Sequence, residues 1–255
     1  LFLLKSRYST LPFSFLRFIA TMLSLPIESI KEQFCHSIQK ENLVVEAETG
    51  SGKSTLLPLW ATSYGRVLVV EPRRIACTSL AEYIALLEGE RVGEKIGYSI
   101  KLDACFSDTS EVVFVTPGVA LRWLSEDKLA GFDVVIVDEF HERRWDTDLL
   151  VALLKRLNKH RLVVTSATIE GDKLAKYIEG KRLVANGRLF NVDVEHQAKS
   201  SHYLPDVRSI ERKITDVVQA EYHSTSGDVL VFLPGRKEIT QCAQALSKLE
   251  DVDVI

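Results

Sequence analysis

The sequence is poor in the residues that build disulfide-linked or metal-bound domains. Its 255 residues include four cysteines and six histidines, with no C-x-x-C spacing and no cluster of metal-ligand types. This usage argues against a structural metal or a disulfide framework and favours a reducing compartment, so a cytoplasmic location is expected. The net charge of −3 gives no global basic field of the kind that indicates nucleic-acid binding, although a local basic strip is compatible with it.

Methionine is scarcer still, because Met22 is the only one in the chain. The 21 residues before it are mostly apolar, and the first acidic residue is Glu28. A secretory or organellar presequence has this composition. Arg17 interrupts the apolar run, however, and the run is too short to span a bilayer, so no membrane partner is expected. We expect the protein to start at Met22, with residues 1–21 a misread upstream extension, and leave them out of the fold prediction.

A glycine-rich segment, Ala47-Glu-Thr-Gly-Ser-Gly-Lys-Ser54, organises the rest of the sequence. Apolar residues 43–45 precede it and helix-forming residues follow, and this order is typical of a P-loop, which surrounds phosphate with backbone N–H groups. In such a loop Lys53 reaches the β- and γ-phosphates, and the Ser54 hydroxyl ligates Mg²⁺. The general pattern has glycine at position 47, and alanine there suits a turn residue with negative φ. The segment predicts a nucleotide site rather than a surface turn.

Short apolar segments that indicate buried strands alternate with segments of helical periodicity, and no internal repeat interrupts them. Strands are predicted at 43–45, 66–70, 111–115, 133–137 and 161–165. Helices are predicted at 26–39, 54–63, 75–87, 149–157 and 172–178, with a further helix that follows Gly118 and ends at Leu124. This alternation predicts an α/β fold with a doubly wound, mainly parallel sheet covered on both faces. The polar motifs follow the strands, at the edge of such a sheet where ligands bind.

Two carboxylates, Asp138 and Glu139, follow the strand predicted at 133–137. They stand on a rigid support at the same edge of the sheet as the glycine-rich loop. From there Asp138 can hold Mg²⁺, and Glu139 can orient and polarise the water that attacks a phosphate. The alternative is a solvated acidic strand end, which the nearby P-loop argues against.

The alternation restarts after residue 187. A connecting strand is predicted at 192–194, a helix at 210–222, a buried strand at 227–233 and a helix at 239–249. The last residue, Ile255, falls inside what reads as a further strand. We therefore expect a first domain at 22–187, and at 188–255 a linker with the beginning of a second α/β domain that is incomplete.

Four segments in order carry a resemblance to a known family: 47–54, Glu-Pro-Arg-Arg at 71–74, Asp-Glu-Phe-His-Glu-Arg at 138–143 and Ser-Ala-Thr at 166–168. They resemble motifs I, Ia, II and III of superfamily 2, and the chain is similar to the DEAH-box RNA helicases, most closely the bacterial HrpB type. Phe140 within the acidic box and Phe232-Leu-Pro-Gly235 support that type. The resemblance implies an ATP-binding RecA-like domain followed by part of a second one.

The resemblance also implies roles for single residues, with ATP and Mg²⁺ as cofactors. Triphosphate binding falls to Thr49, Gly50, Ser51, Gly52, Lys53, Ser54 and Thr55. Catalysis falls to Lys53, Asp138, Glu139 and His141, with Ser54 and Asp138 on the metal. Nucleic-acid contacts fall to Arg73, Arg74, Thr116 and Gly118, although only one of the two arginines need face RNA and the alternative for the other is an internal salt bridge. Ser166, Ala167 and Thr168 link hydrolysis to domain movement. The implied partner is RNA, single-stranded or structured, and DNA offers the same backbone chemistry.

Besides Ala47, the sequence departs from the family pattern in three further places. Pro117 replaces an acidic or polar residue, and Tyr83 stands where relatives place an adenine-stacking arginine. Motifs V and VI, which supply the arginine fingers, would lie beyond Ile255. Since an arginine finger contributes about 10³- to 10⁵-fold in rate, we expect weak ATP binding, slow turnover and no duplex unwinding by this chain alone.

Two other classes of protein compete with a helicase. One is an incomplete module that holds nucleotide or RNA without productive turnover. The other is a different P-loop enzyme. An ABC ATPase would carry an L-S-G-G-Q-like signature, which the sequence lacks. A small-molecule kinase would leave Ser-Ala-Thr at 166–168 unexplained.

Overall fold

A computed structural model of the chain describes residues 2–5, 25–167, 171–186, 193–194, 196, 210–222, 228–249 and 253–254. The chain divides into two compact units, Ala20–Phe190 and a second formed by Leu1–Ile19 with Asn191–Ile255. The strands are β1 (Phe2–Lys5), β2 (Asn42–Ala47), β3 (Val67–Val70), β4 (Ile96–Ile100), β5 (Asp103–Cys105), β6 (Val112–Val115), β7 (Val134–Val137), β8 (Arg161–Ser166), β9 (Gly180–Ala185), β10 (Val229–Val231) and β11 (Asp253–Val254). The α-helices are α1 (Lys31–Ile38), α2 (Lys53–Ala61), α3 (Arg74–Glu88), α4 (Pro117–Asp127), α5 (Trp145–Leu157), α6 (Gly171–Ile178), α7 (Ile210–Tyr222) and α8 (Arg236–Leu246), with 3₁₀ turns at Pro26–Ile30 and Phe140–Glu142.

One sheet forms the centre of the larger unit, with its strands in the order β5, β4, β6, β3, β7, β8, β2, β9. Every neighbouring pair is parallel except β4 and β5. The register places Val70 opposite Val115 and Val137, and Val137 opposite Val164, so these strands end together. The prediction of a doubly wound, mainly parallel α/β fold is confirmed.

A hydrophobic core lies on each face of this sheet, because neighbouring residues of a strand point to opposite sides. In β2, Leu43 and Val45 belong to the core that α1, α2 and α3 cover. Val44 belongs to the core that α4, α5 and α6 cover. All three side chains are fully buried. The two cores hold the strands rigidly, and the residues after their carboxyl ends are held in place with them.

Three strands of this sheet escaped the sequence prediction. β4 and β5 form an antiparallel hairpin in which β4 carries Gly97 and Ser99 within its apolar pattern. β9 is an edge strand with Lys181 and Arg182 exposed, so it lacks a continuous apolar run. The helix predicted at 26–39 is divided into a 3₁₀ turn and α1, although Ile27, Ile30, Phe34 and Ile38 are all buried.

The second unit contains a small antiparallel sheet in the order β10, β1, β11. The sequence prediction leaves Phe2–Lys5 out of the fold, whereas here it is the central strand. The predicted helix at 210–222 is α7, and α8 lies three residues before the prediction. Among the residues that the structure describes, no helix is long and apolar enough to cross a membrane.

Of two strand predictions in this unit, one is right in position but wrong in length and burial, and the other is wrong. The strand predicted as buried at 227–233 is limited to Val229–Val231 and is half-exposed, because Val229 and Val231 pack on one core while Leu230 lies on the other face. Asp193 and Val194, predicted within a connecting strand, belong to no strand, and Val194 is exposed. The start of the predicted linker, residues 188–190, and residue 192 lie outside the described residues.

Gly180, at the start of β9, tests the packing of the sheet edge. A Cβ there would lie 2.3 Å from the backbone oxygen of Asn42, so the edge strand would have to move. We expect Gly180→Ala to lower the free energy of unfolding by about 1–3 kcal/mol, measured by urea denaturation. Gly118→Ala in α4 is the matched control, because no described atom lies within 4 Å of the added methyl group. Its stability should be unchanged or higher by up to about 1 kcal/mol. Equal losses in both variants would contradict the packing argument.

Candidate functional site

The glycine-rich loop lies between β2 and the N-terminus of α2, as the sequence predicts. Gly50 and Gly52 have φ values of 80° and 93°, in the left-handed region that glycine adopts without strain. Ala47 ends β2 in extended backbone, so its methyl group is accommodated. The loop places Ser51 and Lys53 in buried positions, and the backbone of Gly52 accepts a hydrogen bond from the Thr55 hydroxyl at 3.0 Å.

The 3₁₀ turn before α1 supports this loop. The Ile27 amide donates to the Ser51 carbonyl at 3.1 Å. A Cβ on Gly52 would lie 2.8 Å from Leu25 Cδ1 and 3.2 Å from Ile27 Cγ2. Gly52 is therefore required for two reasons, its positive φ and its contact with this turn. Leu25 and Ile27 were not predicted as part of the site, and only the apolar pattern of the turn hinted at them.

Lys53, Glu139 and His141 form a continuous chain of polar contacts. The Lys53 ammonium lies 2.9 Å from Glu139 Oε1, and Lys53 is only 3% exposed. Glu139 has φ 50°, and this left-handed turn directly after β7 presents its carboxylate to the loop. The other carboxylate oxygen lies 3.1 Å from His141 Nδ1. Three predicted catalytic residues are thus brought together by the ends of β2 and β7.

Asp138 is buried beside Glu139 and has one free oxygen. Its Oδ1 accepts hydrogen bonds from the Thr165 hydroxyl and from the Glu139 amide, the latter at 2.9 Å. Asp138 Oδ2 is buried and has no hydrogen-bond partner in the described part of the chain. A buried, partnerless carboxylate oxygen is the donor that Mg²⁺ prefers, so the residues fit this ion. Asp138 and Ser54 would hold Mg²⁺, which would supply charge neutralisation to bound phosphates.

Thr165 is a site residue that the sequence analysis missed. The pairing of Val137 with Val164 places Thr165 next to Asp138, one residue beyond both strands' last shared position. Its hydroxyl fixes one carboxylate oxygen of Asp138 and leaves the other free for a cation. The register of two adjacent parallel strands is the signal that could have found it.

Glu71 adds a third buried carboxyl group to this edge of the sheet. It is 4% exposed and follows β3, next to β7. Burial, as the larger cause, and the charges of Asp138 and Glu139 together raise the pKa of Glu71 from its ordinary 4.5 to about 8, against a backbone hydrogen bond from Arg73 that lowers it. Glu71 therefore carries a proton near neutral pH, which limits the negative charge around Asp138.

The residues after β8 meet this site through His141. The backbone nitrogen of Ala167 lies 3.4 Å from His141 Nδ1, the atom that also faces Glu139. A carboxylate only accepts and an amide N–H only donates, so Nδ1 serves one partner at a time. In the tautomer with a hydrogen on Nδ1, this nitrogen donates to the Glu139 carboxylate. In the tautomer without it, Nδ1 accepts from the Ala167 amide. Ser166 is fully buried with an unpaired hydroxyl among the described residues, and Thr168 lies outside them.

The predicted nucleic-acid residues divide between two places. Arg74, Thr116 and Gly118 line one cavity of about 920 Å³ at the ends of β3 and β6. Arg74 also donates to the Lys101 carbonyl at 2.5 Å. Arg73 does not line this cavity. Its guanidinium pairs with Glu142 at 2.5 Å and is 73% exposed.

Three further cationic residues line the same cavity and were not predicted: Lys101, Arg122 and Arg144. They come from the β4–β5 hairpin, from α4 and from the residue before α5, segments without a shared sequence motif. Two acidic residues, Asp103 and Asp146, are also at the wall. Asp146 is engaged by Arg144 in a two-point ion pair at 3.2 Å, and Asp103 accepts from Tyr98 at 3.1 Å. The cavity therefore presents an excess of positive charge, as a phosphate backbone requires.

A P-loop after β2, an acidic pair after β7 on the far side of β8 and a doubly wound sheet define a RecA-like nucleotide-binding domain. The chain belongs to the DEAD/DEAH box helicase family, which it matches over residues 28–177. The resemblance found in its motifs is confirmed.

Similarity to the helicases HrpA and HrpB supports the DEAH branch of this family. The chain is 33% identical over 241 residues to the ATP-dependent RNA helicase HrpA of Borreliella burgdorferi, covering 88% of this chain and 29% of that protein. It is similar to the crystal structure of Escherichia coli DEAH/RHA helicase HrpB, with TM-score 0.77 and 30% identity over 88% of this chain and 30% of that one. A second structure, of E. coli DExH-box NTPase HrpB, gives TM-score 0.70 and 30% identity over 89% and 29%. The chain thus spans less than a third of these relatives.

Proposed function

We propose that this chain is the nucleotide-binding part of an ATP-dependent RNA helicase, which hydrolyses ATP with Mg²⁺ to remodel RNA. The observation that carries the proposal is the meeting of Lys53, Asp138 and Glu139 at the ends of β2 and β7, with one Asp138 oxygen buried and free. In this role Thr49–Thr55 surround the triphosphate, and Ser54 and Asp138 hold the ion. Family membership and the similarity to HrpA, an ATP-dependent RNA helicase, support the same reaction.

Glu139 is the residue assigned to the attacking water. Its carboxylate is held between Lys53 and His141, at 2.9 and 3.1 Å. In the presence of a triphosphate, Lys53 would turn to the phosphates and leave Glu139 to orient water and accept its proton. No other described carboxylate lies within salt-bridge distance of Lys53.

The cavity at the ends of β3 and β6 is assigned to RNA. Arg74, Thr116 and Gly118 line it, and Lys101, Arg122 and Arg144 add positive charge. Contacts of this kind hold the sugar–phosphate backbone without reading sequence, so single-stranded and structured RNA both fit, and DNA shares the chemistry. Arg73 is assigned a different role, which is to hold Glu142 in place within the segment 138–143.

Coupling between the two activities is assigned to His141 and to Ser166–Thr168. The choice of His141 Nδ1 between Glu139 and the Ala167 amide offers a physical link between the hydrolytic carboxylate and the end of β8. We further assign residues 22–187 to the first RecA-like domain and 188–255 to a linker and part of the second. We also assign the chain to the cytoplasm, where both ATP and RNA are present.

Nucleotide and RNA binding by the 255-residue chain test this proposal together. We expect Lys53→Ala to weaken ATP binding by at least about tenfold, because a buried charge-assisted contact to phosphate is lost. RNA affinity of the same variant should change by less than about twofold. The readouts are calorimetry with Mg-ATP and anisotropy with a labelled single-stranded RNA. Loss of both ligands in a folded variant, or of neither, would contradict the assignment of separate sites.

A binding module without turnover is the second candidate. The short span relative to HrpA and HrpB favours it, because residues that complete the site in a full-length helicase can lie outside this chain. ATP hydrolysis stimulated by single-stranded RNA, and lost in Lys53→Ala, distinguishes the two. Binding without hydrolysis would favour the module.

A further inference from the structure

Two large apolar side chains that are open to water belong to segments that form the cationic cavity. Leu102 lines the cavity and is 95% exposed, and Trp145 is 75% exposed between Arg144 and Asp146, which both line it. A tryptophan so open to water is unusual in a folded domain, where this side chain is mostly buried. The other two tryptophans are partly buried, with Trp60 packed on Phe34 and Trp123 between Phe106 and Phe132. Exposure is thus particular to Trp145.

Leu102 is held in the wall of this cavity against its own backbone preference. It forms the turn of the β4–β5 hairpin, where Ile100 pairs with Asp103. Its φ is 72°, a left-handed value that glycine or asparagine adopts with less strain. The residue therefore combines an exposed apolar side chain with an unfavourable backbone conformation. Both properties cost the folded chain free energy, and together they point to a contact with another molecule.

The chemistry around these two side chains identifies that molecule. Phosphate groups are attracted by Arg74, Lys101, Arg122 and Arg144, all in the cavity wall. Apolar and aromatic groups beside a cationic groove are the combination that holds single-stranded nucleic acid, with phosphates on the cations and base faces on the rings. A partner protein would have to bring acidic groups in the same pattern, whereas one RNA strand supplies both parts.

We propose that Trp145 and Leu102 are the base-contacting residues of this site, with the Trp145 indole stacked on one base and Leu102 packed against another. The proposal rests on nucleic acid binding in the cavity. It adds that the chain holds single strands by base faces as well as by phosphates, without reading base identity. Duplexes, whose bases are stacked on one another, would be held by the phosphates alone.

The test compares a 12-nucleotide oligouridylate with an abasic ribose-phosphate strand of the same length at one salt concentration. Trp145→Ala should weaken oligouridylate binding by about 5- to 150-fold and leave abasic binding unchanged, while Trp145→Phe restores most of the loss. Leu102→Asn, which suits the left-handed turn, should weaken oligouridylate binding about two- to tenfold. Leu86→Ala, an exposed leucine on α3, is the control and should have no effect. Tryptophan fluorescence gives a second readout, because oligouridylate should quench the part of the signal that Trp145→Phe removes.

The outcomes separate this proposal from the proposed function. If Arg74→Ala and Arg144→Ala weaken both strands while Trp145→Ala weakens neither, the cavity binds RNA and base contact by Trp145 is refuted. Equal weakening of both strands by Trp145→Ala also refutes it. So does an unchanged affinity of this variant for oligouridylate, which would leave the Trp145 side chain to a protein partner. If the unaltered chain binds neither strand, or the arginine variants change nothing, RNA binding in the cavity itself fails.

Discussion

Glu139→Gln should reduce ATP hydrolysis by about 10²- to 10⁴-fold, the range for removing a general base, while nucleotide binding is kept or strengthened. The amide has nearly the shape of the carboxylate and the same left-handed backbone at φ 50°, but it cannot accept a proton. It also removes the negative charge 2.9 Å from Lys53, which frees the ammonium for phosphate. A phosphate-release assay at high protein concentration measures the turnover, and calorimetry with Mg-ATP measures the affinity.

Glu142→Gln is the matched control for this effect. It removes a carboxylate three residues further on, whose partner is the exposed Arg73. Because such a surface pair contributes little, hydrolysis should stay within about threefold of the unaltered chain. Hydrolysis that survives in Glu139→Gln would assign the water to another group. A loss of ATP binding in that variant would show instead that the Lys53 contact supports the shape of the loop.

The residues of the proposed nucleotide site were predictable because backbone geometry confines them to a motif. Gly50 and Gly52 are glycines since their φ values are positive, and Asp138 follows a strand of four buried residues. Such constraints are local, and a sequence shows them directly. Thr165 depends instead on the register between two strands, so it becomes visible only once β7 and β8 are paired.

Only part of the cavity was predictable from the sequence, namely Arg74, Thr116 and Gly118. Its cations Lys101, Arg122 and Arg144 come from separate segments, and only the order of the strands brings them together. The pairing of Arg73 with Glu142 was equally hidden, because both have long side chains whose partners depend on the tertiary fold.

β9 was missed for a physical reason as well. As an edge strand it is covered on fewer sides, so it does not need a continuous apolar run.

Glu71→Gln should make the chain more stable at pH 8 while leaving its stability at pH 5 nearly unchanged. The pKa of Glu71 is raised from 4.5 to about 8 by burial and by its acidic neighbours. Between these two values the unfolded chain loses the Glu71 proton while the folded chain keeps it. The free energy of unfolding of the unaltered chain therefore falls as the pH rises from 4.5 to 8, by about 3 kcal/mol at pH 7, and levels off above 8. Glutamine does not titrate, so the variant escapes this loss.

Urea denaturation between pH 5 and pH 8.5, without divalent metal, gives the comparison. The two curves should coincide near pH 5 and diverge by about 3 kcal/mol at pH 7. Glu32→Gln, at an exposed position on α1, is the control and should follow the unaltered chain at every pH. A Glu71→Gln curve parallel to that of the unaltered chain would mean that Glu71 is ionised in the folded state. In that case a partner charge must compensate it, and the carboxylate of Glu71 would add a negative charge beside Asp138 and Glu139 at the proposed Mg²⁺ site.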